Sequence, residues 1–173
     1  MKKYESGFTL FELIIAMALA AILVGLGVPS FNTAIDNYQA RTNMTRVQSS
    51  MVFARSEASK RGTTVSVCRT DNGSTCSDEE DTDWDAGWLI FVDEDGAGDL
   101  DAGTDEIIKV VNALSGFTLT SAVDVITYSA NGAVTPATFD LCPNSGESDY
   151  ARGLVLVATG RPRVLTTGVS CGS

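Results

Sequence analysis

One apolar run constrains everything else in this chain. From Phe8 to Val28 the only charged residue is Glu12. About 21 residues at ~1.5 Å rise span roughly 31 Å, the thickness of a bilayer's hydrocarbon core. A carboxylate within such a run costs on the order of 2.5–3.5 kcal/mol on insertion scales. A plain anchor has no use for that cost, so Glu12 needs a partner. An ordinary secretory signal has a shorter apolar core with a small-residue cleavage site after it. Here the run continues past both Ala16-Met17-Ala18 and Ala18-Leu19-Ala20. A buried helix of a soluble domain rarely stays apolar all round for this length.

A short leader with Lys2 and Lys3 ends in Gly7, and Phe8-Thr9-Leu10-Phe11-Glu12 follows. This pattern resembles the class III signal of type IV pilins and type II secretion pseudopilins. The resemblance implies that prepilin peptidase cleaves after Gly7 and that Phe8 becomes N-methylated. It also implies that Glu12 neutralises the Phe8 amine of a neighbouring subunit in a filament. An amine and a carboxylate in hydrocarbon are tolerable only as a pair.

The composition closes off other chemistries. The chain has no histidine, which removes imidazole bases and imidazole metal ligands together. No lysine follows a glycine, so there is no Walker A loop. Gly168-Val169-Ser170-Cys171-Gly172 spells Gly-x-Ser-x-Gly, but no helix and no base follow it. A membrane-anchored enzyme is therefore the weakest reading, and no cofactor is expected. The net charge is −10, and losing Lys2, Lys3 and Glu5 with the leader takes it to −11. Such a chain repels polyanions globally. The charge is uneven, however. Residues 71–106 hold fourteen acids and no base, whereas residues 150–173 hold Arg152, Arg161 and Arg163 and no acid.

Four cysteines fit an extracytoplasmic chain with two disulfides, for which three connectivities exist. Cys68 with Cys76 and Cys142 with Cys171 is the simplest, because each pair is near in sequence. A zinc site from all four lacks any Cys-x-x-Cys pair.

Four segments follow from the patterning: a leader at 1–7, a transmembrane or filament-core helix at 8–29, an amphipathic continuation at 30–62, and a β domain at 63–173. Gly25, Gly27 and Pro29 interrupt the helix where the bilayer ends. Beyond them Phe31, Ile35, Tyr38, Val47, Met51, Ala54 and Ala58 approximate one face. Gly62 is a natural C-cap. Short strands are expected at 63–69, 88–92, 106–111, 117–120, 125–129, 138–142, 153–158 and 163–166. Asn72-Gly73 and Asn131-Gly132 mark turns, the second a tight hairpin. The fold class is α+β: a long N-terminal helix packed on a C-terminal antiparallel β domain.

Asp83-Trp84-Asp85-Ala86-Gly87-Trp88, running on through Phe91 to Asp93, resembles the Asp-Trp-x-x-Gly-Trp-x-x-Phe-x-Asp signature of GspH/FimT-like minor pilins. Core packing alone accounts for two tryptophans in such a stretch. The tail, Gly160-Arg161-Pro162-Arg163, is similar to the Gly-Arg-x-Arg tail through which FimT-like minor pilins of DNA-uptake systems bind DNA. Residues two apart in an extended segment share a side, and Pro162 favours extended geometry at Arg161. Both guanidiniums then grip neighbouring phosphates, with Arg152 joining from a neighbouring strand. Two or three such contacts carry no sequence preference and a log–log salt slope of about −2 to −3. Asp93, Asp95, Asp99 and Asp101 invite a calcium loop. Ala97 and Thr104 stand where two EF-hand ligands belong, so a solvated acidic hairpin is the better reading and no metal site is assigned.

The resemblance implies a minor type IV pilin of the GspH/FimT-like family, not an enzyme. It would be inserted in the inner membrane with its C-terminal domain in the periplasm, then carried to the pilus tip. Its partners would be prepilin peptidase, other pilin subunits and, through Gly160, Arg161, Arg163 and Arg152, DNA. The alternative is a GspH-like pseudopilin of a type II secretion system that binds no DNA.

Overall fold

The structure is a computed structural model that describes residues 8–77, 83–146, 148–169 and 171, with side chains at 24–32 and 148 outside the description. The leader, Gly7 and part of the acidic loop at 78–82 therefore lie outside the described residues. The chain divides into two units, Met1–Tyr38 and Gln39–Ser173.

Helix α1 runs from Leu10 to Arg61 and continues through Gly25, Gly27 and Pro29. One long helix was expected across these residues and is observed, 52 residues in length, because proline removes one hydrogen bond and the flanking turns carry on. Gly62 closes the helix at φ 71°, donating its N–H to the Ala58 carbonyl at 2.9 Å. Among the described residues no helix is long and apolar enough to cross a membrane. The apolar run of the sequence extends into 24–32, where side chains are not described.

In the second unit the buried stripe of α1 is Ala40, Met44, Val47, Met51, Ala54 and Ala58. Its spacing alternates four and three, the period of one helical face. Ile35 and Tyr38 were expected on this face but are exposed, Tyr38 to 71%. At 3.6 residues per turn Tyr38 lies about 180° from Val47, on the opposite side.

Eight strands follow, all antiparallel. Strands β1 (Thr64–Arg69), β2 (Gly87–Asp93), β3 (Glu106–Asn112) and β5 (Val125–Tyr128) form sheet A in the order β3-β2-β1-β5. Strands β4 (Phe117–Ser121), β6 (Ala137–Pro143), β7 (Arg152–Leu156) and β8 (Pro162–Leu165) form sheet B in the order β4-β6-β7-β8. One core joins the α1 stripe to the inner faces of both sheets. A smaller cluster of Cys68, Leu89 and Phe91, covered by Cys76, Leu100 and Val125, lies on the other face of sheet A. Both faces of β2 are thus covered, which explains why Trp88–Val92 is continuously apolar rather than alternating.

Asn131-Gly132 does form a tight turn: the Ser129 N–H donates to the Ala133 carbonyl at 3.0 Å, and Tyr128 bridges Val134. The strands it joins nevertheless sit in different sheets, since β5 pairs with β1 and β6 with β4 and β7. A turn signal reports four residues of backbone, and Pro136 ends the local pairing.

The tryptophan signature builds the junction between the sheets. Trp84 and Trp88 are buried. The Trp84 indole donates to the Val123 carbonyl at 2.9 Å and meets Phe139 of β6 edge-on, ring centroids 5.0 Å apart. Asp85 accepts from the backbone N–H of Leu119 and, through its own carbonyl, from that of Leu114. Gly87 is obligatory: at φ 129° a Cβ would lie 2.7 Å from the Val111 carbonyl oxygen.

Candidate functional site

Two parts of the chain bear on function. The first is the head of α1. The Thr9 N–H and Oγ1 both donate to Glu12 Oε2 at 2.9 Å, and the Glu12 N–H donates to Thr9 Oγ1 at 3.3 Å. This is a capping box, two orphan helix donors satisfied reciprocally. Within its own chain Glu12 therefore has Thr9 as a partner, a role that Thr-x-x-Glu before an apolar run signals in the sequence. Every described side chain from Phe8 to Leu23 is exposed, Phe8 to 91%. An apolar surface of that length calls for lipid or other helices around it.

The second part is the corner of sheet B where β7 turns into β8. Residues 157–160 make the turn, with the Gly160 N–H donating to the Val157 carbonyl at 2.8 Å. Gly160 is buried at φ 75°, and a Cβ there would overlap the Gly132 carbonyl oxygen and approach Tyr128 Cε1 to 3.1 Å. Its place in the Gly-Arg-Pro-Arg motif is thus one of backbone fit. The adjoining hairpin is tied in by the Val134 N–H donating to the Ala158 carbonyl at 3.1 Å.

From this turn Arg161 and Arg163 emerge exposed. Arg163 lies opposite Val155 in the β7–β8 register, and both share the outward side of the sheet, the inward side being taken by Leu154 and Leu156. Arg161 has the same parity. Neither makes a hydrogen bond or ion pair among the described residues. Beside them an open groove of about 480 Å³ crosses the end of sheet B, lined by Ser121, Val123, Pro136, Thr138, Val155 and Val157 among others. No carboxylate lines it.

Arg152 does not join them. It is two residues before Leu154, so it takes the inward parity, and it is 7% exposed. Its Nη1 donates to the carbonyls of Asp149 and Ala151, at 3.3 and 2.7 Å. The same alternation that brings Arg161 and Arg163 together turns Arg152 away.

A cation not anticipated from the sequence stands against the turn itself. Arg55 of α1 donates from Nε to the Gly132 carbonyl at 3.2 Å, and that nitrogen is 3.0 Å from where a Gly160 Cβ would be. The nearby Tyr128 hydroxyl is buried without a hydrogen-bond partner among the described residues. Burial pushes its phenol above the ordinary value, with Arg55 opposing. Only contacts across 77 residues bring Arg55 here, and no local pattern announces them.

The acidic region is organised differently. Asp93 is fully buried and accepts from Ser66 Oγ at 2.7 Å, from the Gly96 N–H at 2.7 Å and from the Gly98 N–H at 3.0 Å. Asp105 accepts from the N–H groups of Glu94 and Asp101. These carboxylates order their own loop through backbone donors. Among the described residues no group of three or more His, Cys, Asp or Glu could hold a metal ion. The cysteines pair as Cys68–Cys76 and Cys142–Cys171. The second bond carries the tail back from β8 to β6, with Val169 lying over Gly153 on the way.

Comparison with known proteins agrees with this architecture. The profile described as Type II transport protein GspH matches residues 43–160, and that of the prokaryotic N-terminal methylation motif matches residues 2–28. A fimbrial protein of Pseudomonas aeruginosa is 27% identical over 137 residues, 75% of this chain and 83% of its own length. The crystal structure of the type IV minor pilin FimU of Pseudomonas aeruginosa is similar with a TM-score of 0.55 at 23% identity, covering 72% of this chain and 91% of that one. The minor pseudopilin EpsH of the Vibrio cholerae type 2 secretion system is similar with a TM-score of 0.52 at 15% identity, covering 73% and 96%. The two likenesses show a common fold. The chain therefore belongs to the GspH family, and its residues 2–28 match the prokaryotic N-terminal methylation motif.

Proposed function

We propose that this chain is a minor type IV pilin that assembles into a pilus near its tip and binds DNA there without sequence preference. Prepilin peptidase would cut after Gly7 in the inner membrane, and Glu12 would trade its cap on Thr9 for the Phe8 amine of a neighbouring subunit. The exposed apolar helix supports assembly, since only other helices or lipid could cover it. One observation carries the DNA reading. Arg161 and Arg163 stand exposed and without ion pairs among the described residues, on one side of an extended strand, in a stretch (residues 150–173) that contains no Asp or Glu. Guanidiniums held this way suit phosphate oxygens. Display of several subunits on one filament would raise the avidity.

The test is a gel shift with the full-length chain in a non-ionic detergent and double-stranded DNA at low and moderate salt. Wild type should shift the DNA, less so as salt rises. Arg161→Gln combined with Arg163→Gln should abolish the shift. Absence of any shift at low salt would leave the second reading, a type II secretion pseudopilin that contacts only other pseudopilins. The GspH match favours that reading.

A further inference from the structure

We infer that Arg55, on the helix rather than on the sheet, is the third phosphate-binding cation of the β7–β8 corner. This rests on the DNA reading above and replaces Arg152 in it. Arg55 is half-buried, and its Nε is committed to the Gly132 carbonyl. Beyond that bond it has no hydrogen-bond or ion-pair partner among the described residues, so its two terminal nitrogens remain to be engaged.

The other helix cations of this unit that make contacts are occupied. Lys60 and Arg61 pair with Glu57, Arg61 also with Glu106, and Arg46 donates to the Asn112 carbonyl at 3.1 Å. Arg55 differs from them in its neighbours. The hairpin and the turn that surround it, residues 129–138 and 150–173, contain no Asp or Glu. Gly132 and Gly160 allow the close approach, because a side chain on either would meet Arg55 Nε at 2.9 or 3.0 Å. Arg161 is the residue after Gly160. The two glycines therefore let the helix guanidinium pack against the turn that leads into Arg161, with its fork of Nη donors left for a phosphate.

The test is the salt dependence of binding to double-stranded DNA by the full-length protein in non-ionic detergent. Three phosphate contacts give a slope of log K against log salt of about −2.7, and two give about −1.8. Arg55→Gln keeps an N–H donor for Gly132 but loses the charge. It should flatten the slope by about 0.9 and weaken low-salt binding about three- to tenfold. Arg55→Lys should retain most of the wild-type slope. Arg41→Gln removes an exposed charge about 21 Å away along α1 and should change neither quantity.

An unchanged slope in Arg55→Gln would overturn the inference, as would equal weakening by Arg55→Gln and Arg55→Lys, the mark of a purely structural role. An Arg41→Gln effect as large as that of Arg55→Gln would also overturn it, as a response to net charge alone. The two levels fail distinguishably. If Arg161→Gln with Arg163→Gln abolishes binding and Arg55→Gln leaves it intact, only Arg55 is lost. If wild type does not bind, or the double variant binds like wild type, the DNA reading falls and Arg55 with it.

Discussion

Residues 71–106, around sheet A, carry fourteen carboxylates and no base; residues 129–138 and 150–173, around the β7–β8 corner, carry three arginines and no carboxylate. The two regions use charge differently. Asp93 and Asp105 spend theirs on backbone N–H groups of their own loop. Arg152 likewise spends its charge on local carbonyls. Arg161 and Arg163 spend theirs on nothing within the described residues. Charge satisfied inside the fold orders a segment; charge left exposed and unpaired is available to a partner. Net charge alone, at −10, hides this division.

The sharpest way to break the comparison is to remove a satisfied acid. Asp93→Ala leaves the N–H groups of Gly96 and Gly98 without their acceptor and the Ser66 hydroxyl with Thr127 alone. The expected loss is roughly 3–5 kcal/mol, read by chemical denaturation. DNA affinity of the folded fraction should stay at the wild-type value. A parallel loss of affinity would mean that the acidic loop and the arginine corner are one functional unit.

Gly160→Ala probes the other side at somewhat smaller cost. The left-handed φ of 75° and the overlap with the Gly132 carbonyl together suggest roughly 2–4 kcal/mol. Here stability and DNA affinity should fall together, because the turn that moves also positions Arg161. Unchanged affinity in a destabilised protein would separate the turn from the site.

Much of this was legible in the sequence, for identifiable reasons. All eight strands announced themselves through β-branched runs between turns, and the buried run of β2 did so through its continuous apolarity. Gly62 marked the helix end. Sheet membership was not legible: Asn131-Gly132 promises a hairpin, yet β5 and β6 part into different sheets. The outward pairing of Arg161 with Arg163 follows from a period of two. The inward turn of Arg152 follows from the same period, once Leu154 and Leu156 are taken as the core side. Arg55 could not be found this way. Its neighbours come from chain segments 77 and 105 residues distant, and only the folded core brings them together.

The smallest effects give the comparison a sign. Glu57 is held below the ordinary carboxylate value of 4.5 chiefly by its hydrogen bond from Arg61, with Lys60 adding to it. Asp83 is pushed above its ordinary 3.8 by burial and by the neighbouring Asp85, against the opposing pull of Arg69. A lowered folded pKa means that the ionised Glu57 stabilises above pH 4.5 and that this contribution is lost as the pH falls through the folded value. A raised folded pKa means the reverse. Asp83 is harmless below pH 3.8 and becomes destabilising as the pH rises through its folded value. Denaturation at neutral pH should therefore show Glu57→Gln slightly destabilised and Asp83→Asn slightly stabilised. Both differences should vanish as the pH is lowered, from opposite directions. Two curves shifting with the same sign would mean that Asp83 has a cationic partner strong enough to outweigh its burial. The acid-rich region would then be cross-linked by ion pairs as well as ordered by its own backbone.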